Sequence, residues 1–540
     1  QGDNPAYPQT FPPADIQPNV IDTLGELIAN KQEDHPRLLV LGGRGHSGSK
    51  HTPVISSFVN NDGWFDDISD GPVSAEILFD YEYDAYHGNK KETVKAQGKM
   101  QVQVPAWVVV GYPRFVPEMP DMITLDEVLY DLSIRNFQYR PEIFGVAPFD
   151  RESNSPQTAE QVAVWATNAG YNPDYYPRFY RDIWPILQRP DMYQYTYDFD
   201  NFSGSAPHNT GTGGNLDKHA LSQPPTADAD PHYEQRQFIL KILRQPLQEN
   251  LYAYASKSEP NPDYKPRLMP MLCGNNPISN TAPDKFLRMT LTQLFFLKQW
   301  ADGKFINECD EWGEGNPHCS DPWAEPPRSG HQIDRGVLSN MLGGAFCPGG
   351  ELSWIIMNPA IYSEPYRISH AQYEAGGLSL PAPVAEKDGS SAADIARGME
   401  PGDLTKYIGI PWQADFHECT TQDIDITYDN WNSIEPASTG DPVQQKIAYE
   451  IPWWPAHRPI VVYTDKGGQV YWASGVPDNK AGDLRMVDAW HDLGFVVRDD
   501  GQSNKPMFYQ VERNDDGLGA PVSPGGRLRG RARKHRRNDG

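Results

Sequence analysis

The stretch Arg37-Leu-Leu-Val-Leu-Gly-Gly-Arg-Gly-His-Ser-Gly48 decides between two readings of the fold. Its first six residues have the apolar run of a buried strand, and Gly43-Arg-Gly-His-Ser-Gly48 fits G-x-G-x-x-G, the loop that carries a pyrophosphate in dinucleotide-binding sheets. That fold requires a helix to open at once after the loop. Here His51-Thr-Pro-Val follows, and Pro53 removes an N–H donor and breaks the helix. The loop therefore reads as a glycine turn behind a strand, and a wound α/β sheet is set aside. The expectation is an α+β chain, β-rich and irregular, of several subdomains with scattered helices and long loops.

Working outward, composition supports that class. The 540 residues are 38% hydrophobic and 11% aromatic, which is too much apolar surface for a disordered chain. At that length more than one core is expected. Fifty prolines and 46 glycines interrupt most stretches long enough to be helices. A net charge of −25 repels polyanions, so nucleic acid and anionic membranes are excluded as partners of the body. The run Arg527, Arg529, Arg531, Arg533, Lys534, Arg536 and Arg537 reads as a solvated tail, or as a patch for an acidic partner. No apolar stretch has the length of a membrane span, and no signal peptide is visible after Gln1. Cytoplasmic synthesis and maturation are expected, with export left open, and the missing initiator Met suggests that upstream sequence has been removed or left out. Five cysteines (Cys273, Cys309, Cys319, Cys347, Cys419) are too few and too irregularly spaced for a disulfide framework.

The chain divides as follows. Residues 1–36 form a Pro-rich arm with one helical candidate, Asn19 to Asn30. Residues 37–120 form a β-rich subdomain with strand patterns at Val73 to Asp80 and Val102 to Gly111. A mixed helical and loop region covers 121–342, with helical spacing at Thr124 to Ile134, Glu234 to Leu243 and Phe286 to Trp300. Within it, a polar stretch running to about Pro231 reads as a long surface loop. Residues 343–510 carry the candidate chemistry, and 511–540 form the basic tail.

In Gly409-Ile-Pro-Trp-Gln-Ala-Asp-Phe-His-Glu-Cys419, Asp415 stands four residues before Cys419, so a helical turn puts both side chains on one face. A carboxylate beside a thiol can act as its base. Other chemistries fit poorly. Cys309, Cys319 and His318 lack zinc-site spacing, and Asp423-Ile-Asp-Ile-Thr-Tyr-Asp429 lacks the glycine and glutamate of a calcium loop and alternates like a strand. Gly45-His-Ser-Gly-Ser49 misses the spacing of a nucleophile elbow.

The segment around Asp415 and Cys419 resembles the lysine ε-oxidase and glycine oxidase family of cysteine tryptophylquinone enzymes. So do Trp453-Trp-Pro-Ala-His-Arg-Pro459, Met486-Val-Asp-Ala-Trp-His-Asp-Leu-Gly-Phe495, Asp66-Asp-Ile-Ser-Asp-Gly-Pro72, Ala106-Trp-Val-Val-Val-Gly-Tyr-Pro113 and Gly343-Gly-Ala-Phe-Cys-Pro-Gly-Gly-Glu351. With Arg37-Leu-Leu-Val-Leu-Gly-Gly43 these run from residue 37 to 497, in order. Two features depart from the pattern: the extra N-terminal region usual in the family is absent or replaced by the Pro-rich arm, and the basic tail has no counterpart.

The resemblance implies a cofactor made from the chain itself, a cysteine tryptophylquinone in which Cys419 sulfur is bonded to a tryptophan that has gained two oxygens. Asp415 is implied as the carboxylate needed for that modification and as the base in turnover, its pKa raised by Trp412 and Phe416. Trp490 is the expected tryptophan, with Trp453, Trp454, Trp472 and Trp431 as competitors. His318 is a candidate for substrate positioning or proton transfer, and His457 reads as a packing residue. An ortho-quinone supplies the electrophilic carbonyl that ordinary side chains lack. A primary amine condenses there and a base removes its α-proton. The product leaves as an aldehyde or keto acid, ammonia is released, and O2 is reduced to H2O2. The implied partners are a small amino acid or amine, O2, a flavoprotein that matures the cofactor, and further copies in a homo-oligomer. Glycine is expected ahead of lysine from the wording of the Asp415 and Trp453 segments. The alternatives are an oxidase or dehydrogenase for another amine or a peptide- or carrier-bound amino group, and an unmodified binding protein of the same fold.

Overall fold

The computed structural model describes residues 24–30, 37–49, 53–57, 61–145, 170–197, 216–251, 268–276, 284–309, 330–344, 352–371, 398–426, 447–499, 501 and 505–519. His318, Trp431, Cys319, Cys347 and the basic tail lie outside the described residues. Among those described, the strands pair as nine two-stranded antiparallel sheets, with helices between them. The α+β, irregular reading is the observed class.

Two apolar cores organise the elements. The smaller gathers Ile134, Phe179, Ile183, Leu297, Trp300 and Phe305 between helices Leu125–Phe137, Trp184–Met192, Tyr233–Ile242 and Leu291–Ala301. Two of these helices begin with the same device. Thr124 Oγ1 accepts from Glu127 N at 3.2 Å while Glu127 Oε2 accepts from Thr124 N at 2.9 Å, and Thr290 with Gln293 repeats the arrangement. Each box satisfies two N–H groups that a helix start leaves open.

The larger core takes residues from 112 to 518, with Phe115, Trp412, Phe416, Trp454 and Trp472 at its centre. The segment after Gly111 threads it. Phe115 N and Val116 N donate to the carbonyls of His457 and Ala456, and Phe115 O accepts from Val496 N at 2.8 Å. Beside it Arg114 pairs with fully buried Asp121 and reaches His457 Nδ1 at 3.2 Å. Burial alone would push the Asp121 carboxyl up, but Arg114 and His457 hold it below the usual carboxylate range. Burial, with Arg114 alongside, pushes His457 down. His457, read from sequence as a packing residue, is buried in a polar cluster with Asp121 and Arg114.

The N-terminal readings need correction in two places. The helical candidate over Asn19 to Asn30 contains a strand, Gly25–Asn30, paired in register with Arg37–Gly42. Its apolar residues are taken up by cross-strand pairing such as Leu27 with Val40, a non-local term that local helical spacing does not register. Arg37–Gly42 is a strand, but an exposed one, with Leu38, Leu39 and Leu41 at the surface. The helical patterns at Thr124, Glu234 and Phe286 correspond to Leu125–Phe137, Tyr233–Ile242 and Leu291–Ala301, the last preceded by a strand ending at Phe286.

Candidate active site

The site is built on one short helix, Trp412–Glu418, whose residues from Trp412 to His417 are all buried. Seven residues are too few to be helical on their own. Partners from elsewhere hold several of its polar groups. Trp412 Nε1 and Gln413 Nε2 both donate to Gly45 O, at 3.2 and 3.0 Å, and Ser47 Oγ donates to Gln413 Oε1 at 2.6 Å. His417 Nε2 meets Pro477 O at 2.9 Å, and Glu418 pairs with Lys480 at 2.7 Å. Burial, with Arg458 nearby, lowers His417 to about 4, so it is neutral near pH 7 and its Nε2–H is the donor.

Cys419 follows as the C-terminal cap and is a buried thiol outside any disulfide. Its Sγ donates to Asp415 Oδ1 at 2.9 Å. The one-face spacing expected for this pair is therefore present, and the carboxylate is 1% exposed. Cys273, likewise outside any disulfide, donates to Ile451 O at 3.1 Å, and burial pushes its thiol far up, away from the thiolate form. Cys309 is disulfide-bonded.

Helix Lys480–Ala489, capped by Asn479, lies antiparallel to the first, with Lys480 near Glu418 and Trp490 near Trp412. The Trp490 ring centroid is 5.7 Å from that of Trp412 and 6.5 Å from His46. Trp490 thus stands on the same helix pair as Cys419 but at its Trp412 end, seven residues or about 10 Å along the axis. Of the competitors, Trp453 is tied to the Cys419 neighbourhood through its backbone N–H, which donates to Thr420 O at 3.1 Å. Trp472 packs on Phe416, and Trp454 against Gly344. Exposure separates them: Trp453, Trp454 and Trp472 are 6%, 1% and 0% exposed, whereas Trp490 is only partly buried.

The glycine loop finds its role here. Trp490 presents the Cζ2 and Cη2 edge of its indole to Gly45, where a Cβ would lie 2.6 and 2.9 Å from those atoms. Gly45 also has φ +81°, a backbone state that favours glycine. The N–H groups of the loop are occupied by the protein's own carboxylate, since Asp67 accepts from His46 N at 3.1 Å and from Arg44 and Gly45 as well. A nest built for an anion is filled from within, which explains a phosphate-loop pattern without a nucleotide. Next to it, burial pushes the Asp66 carboxyl up to about 7, with Ile68 and Trp412 N–H opposing and Asp67 adding to the rise. Gly45, His46, Asp66 and Asp67 were not singled out as site residues from sequence. The signal was there in the glycine pattern and in Asp66-Asp67, but nothing local joins either to Trp490.

Two outcomes follow from this geometry. Gly45→Ala adds a Cβ against Trp490 at a strained φ, and should lower stability by about 2 kcal/mol in denaturant unfolding; an unchanged midpoint contradicts the contact. Asp66 binds its proton more tightly folded than unfolded, so its contribution is full in acid and is lost as pH rises through about 7. Asp66→Asn should therefore gain on the parent between pH 5 and pH 8, by on the order of 2 kcal/mol. A constant difference across that range contradicts it. Burial and Glu418 also raise Asp483 to about 7, so a residual slope persists in the variant.

Comparison with known proteins places this architecture. The model described as L-Lysine epsilon oxidase N-terminal matches residues 3–110, and that of the L-lysine epsilon oxidase C-terminal domain matches 270–443, which includes Asp415 and Cys419. The L-lysine 6-oxidase of Marinomonas mediterranea is 29% identical over 554 aligned positions, covering 92% of this chain. The chain spans 65% of that relative's length. A solved structure of the ε-lysine oxidase from the same organism superposes with a TM-score of 0.61 at 27% identity, covering 92% of this chain and 69% of that one. A second, described as a Schiff base intermediate of the enzyme with L-Lys, gives 0.59 at 25%, covering 93% and 72%. With matches to both halves and to the whole-chain architecture, the chain belongs to the L-lysine ε-oxidase family.

Proposed function

We propose that the protein is an amino-acid oxidase that uses a cysteine tryptophylquinone formed from Cys419 and Trp490. The observation that carries this reading is the buried thiol–carboxylate pair: Cys419 Sγ donates to Asp415 Oδ1 at 2.9 Å on one face of the Trp412–Glu418 helix. Asp415 is positioned to take the thiol proton when sulfur bonds to carbon. Later it serves as the base toward the substrate. Partial exposure supports Trp490 over Trp453, Trp454 and Trp472, because an incoming amine must reach the ring.

When formed, the quinone supplies an electrophilic carbonyl and accepts two electrons. The protein's own residues do the rest. Helix 412–418 excludes water from the thiol side, Gly45 leaves room against the indole edge, and neutral His417 anchors the turn at Pro477. The overall reaction is a primary amine, water and O2 giving an aldehyde or keto acid, ammonia and H2O2. Glycine is proposed ahead of lysine on the motif wording, and relatives described as lysine oxidases make L-lysine the comparison substrate. His318 is kept as a substrate-positioning proposal, and a flavoprotein as the maturation partner.

The test is co-expression with a family flavoprotein, followed by peroxide and ammonia assays on glycine and L-lysine. Equal release of both products, with redox-cycling stain on the denatured chain, is expected. The chain expressed alone should be colourless and inactive. Asp415→Ala should lose the stain and at least about 100-fold in rate, and a normal quinone in that variant removes its role. Absence of amine-dependent peroxide from the co-expressed protein contradicts the activity.

A further inference from the structure

Around Trp490, Trp412 meets the indole ring to ring and Gly45 offers it only backbone. Among the described residues two imidazoles also touch it, both T-shaped: His46 with ring centroids 6.5 Å apart and His491 with 5.9 Å. They differ in how they are held. The His491 side chain is 56% exposed and 3.7 Å from Asp492, whose carboxylate is also bonded by Asn514. His46 is half-buried on the glycine loop, between two anchored residues. Gly45 O receives Trp412 and Gln413, Ser47 Oγ donates to Gln413, and His46 N donates to Asp67 at 3.1 Å. The His46 side chain therefore leaves a backbone fixed to the same helix that carries Asp415. Burial raises the Asp67 carboxyl, and the loop N–H groups and then the His46 imidazole pull against that rise. A proton arriving on His46 is thus met by a neighbouring carboxylate.

The geometry points to His46 as the residue that carries protons between the Trp490 ring and O2 in the oxidase reaction. This rests on the quinone reading of Trp490 and adds to it a second proton-transfer group. Stoichiometry requires one. The reduced ring gives up two electrons and two protons, and O2 takes up both pairs to become H2O2. Asp415 is turned toward Cys419, which lies about 10 Å along the helix axis from the end where Trp490 stands. Arg44, two residues before His46, keeps its proton and so cannot relay one. Neutral His46 takes one proton from the ring as the electrons leave and donates it from the imidazolium to the reduced oxygen. It is then neutral again and carries the second proton in the same way. The imidazolium also places a positive charge where O2 becomes an anion, in a chain whose net charge is −25.

Two experiments test this, one of them without the quinone. In the unmatured chain, carbethoxylation mapped by peptide mass spectrometry should reach His46, because a ring that meets O2 is open to the site, and should spare buried His417 and His457. In the matured protein, stopped-flow absorbance of the quinone separates reduction by the amine from reoxidation by O2. His46→Gln should be reduced within about threefold of the parent rate and reoxidised at least about 100-fold more slowly. Normal reduction in that variant shows that its fold and cofactor are intact. His491→Gln should change neither step by more than about threefold. An unlabelled His46, reoxidation of His46→Gln at the parent rate, an equal loss in both steps, or the loss appearing in His491→Gln instead overturns the inference alone. A matured parent that no amine bleaches removes the quinone reading and this inference together.

Discussion

A seven-residue helix buried on nearly every side, with polar groups among its side chains, is the constraint around which this molecule is arranged. Gln413, Asp415 and His417 lie in a low-dielectric interior where an unsatisfied polar group costs about 1–3 kcal/mol. Gln413 and His417 are met from other parts of the chain, and Asp415 by the helix's own cap. Gly45 and Ser47 come from the first fifty residues, Cys419 from the helix cap, and Pro477 from the turn before the second helix. A helix that cannot stand alone thereby fixes the distance between segments more than 350 positions apart, as in the 368-residue separation of Gln413 from Gly45. Irregular loops and two-stranded sheets suffice for the remainder, because the precision is concentrated here.

Much of this was legible in the residues, and the parts that were not share a cause. The Asp415–Cys419 pair is a local feature, four residues apart in a helical turn, and spacing alone predicts that the two side chains meet. Three helices, Leu125–Phe137, Tyr233–Ile242 and Leu291–Ala301, announced themselves by periodicity, while Gly330–Ser339 and Lys480–Ala489 did not. The first ribbon did not. Gly25–Asn30 is a strand because Arg37–Gly42 lies beside it, and no pattern within Asn19 to Asn30 contains that partner. Likewise Pro53 argues against a phosphate-binding helix after the glycine loop, but nothing nearby in sequence points to the loop's neighbour Trp490, 445 residues beyond Gly45. Sequence order can suggest such pairs through family resemblance, while physical pattern within a window does not contain them.

The same distinction runs through the proposed chemistry. A buried thiol that donates to a buried carboxylate has a base within hydrogen-bond reach for the proposed modification. His417 is neutral and committed to Pro477, and Cys273 is held as a thiol by burial. Trp490 is held edge-on by Gly45 and ring-to-ring by Trp412, at the far end of the helix from Cys419, so the proposed cross-link requires the two ends of one helix pair to come together. A glycine at position 45 leaves that edge free of a side chain.

Peptide mass spectrometry of the mature protein addresses the central claim directly. The account predicts a Cys419 peptide joined to the Trp490 peptide with two added oxygens. A linkage to Trp453 instead would keep the class of cofactor and move its second half. A free thiol at Cys419 with an unmodified Trp490, in protein matured beside its flavoprotein, would contradict the account.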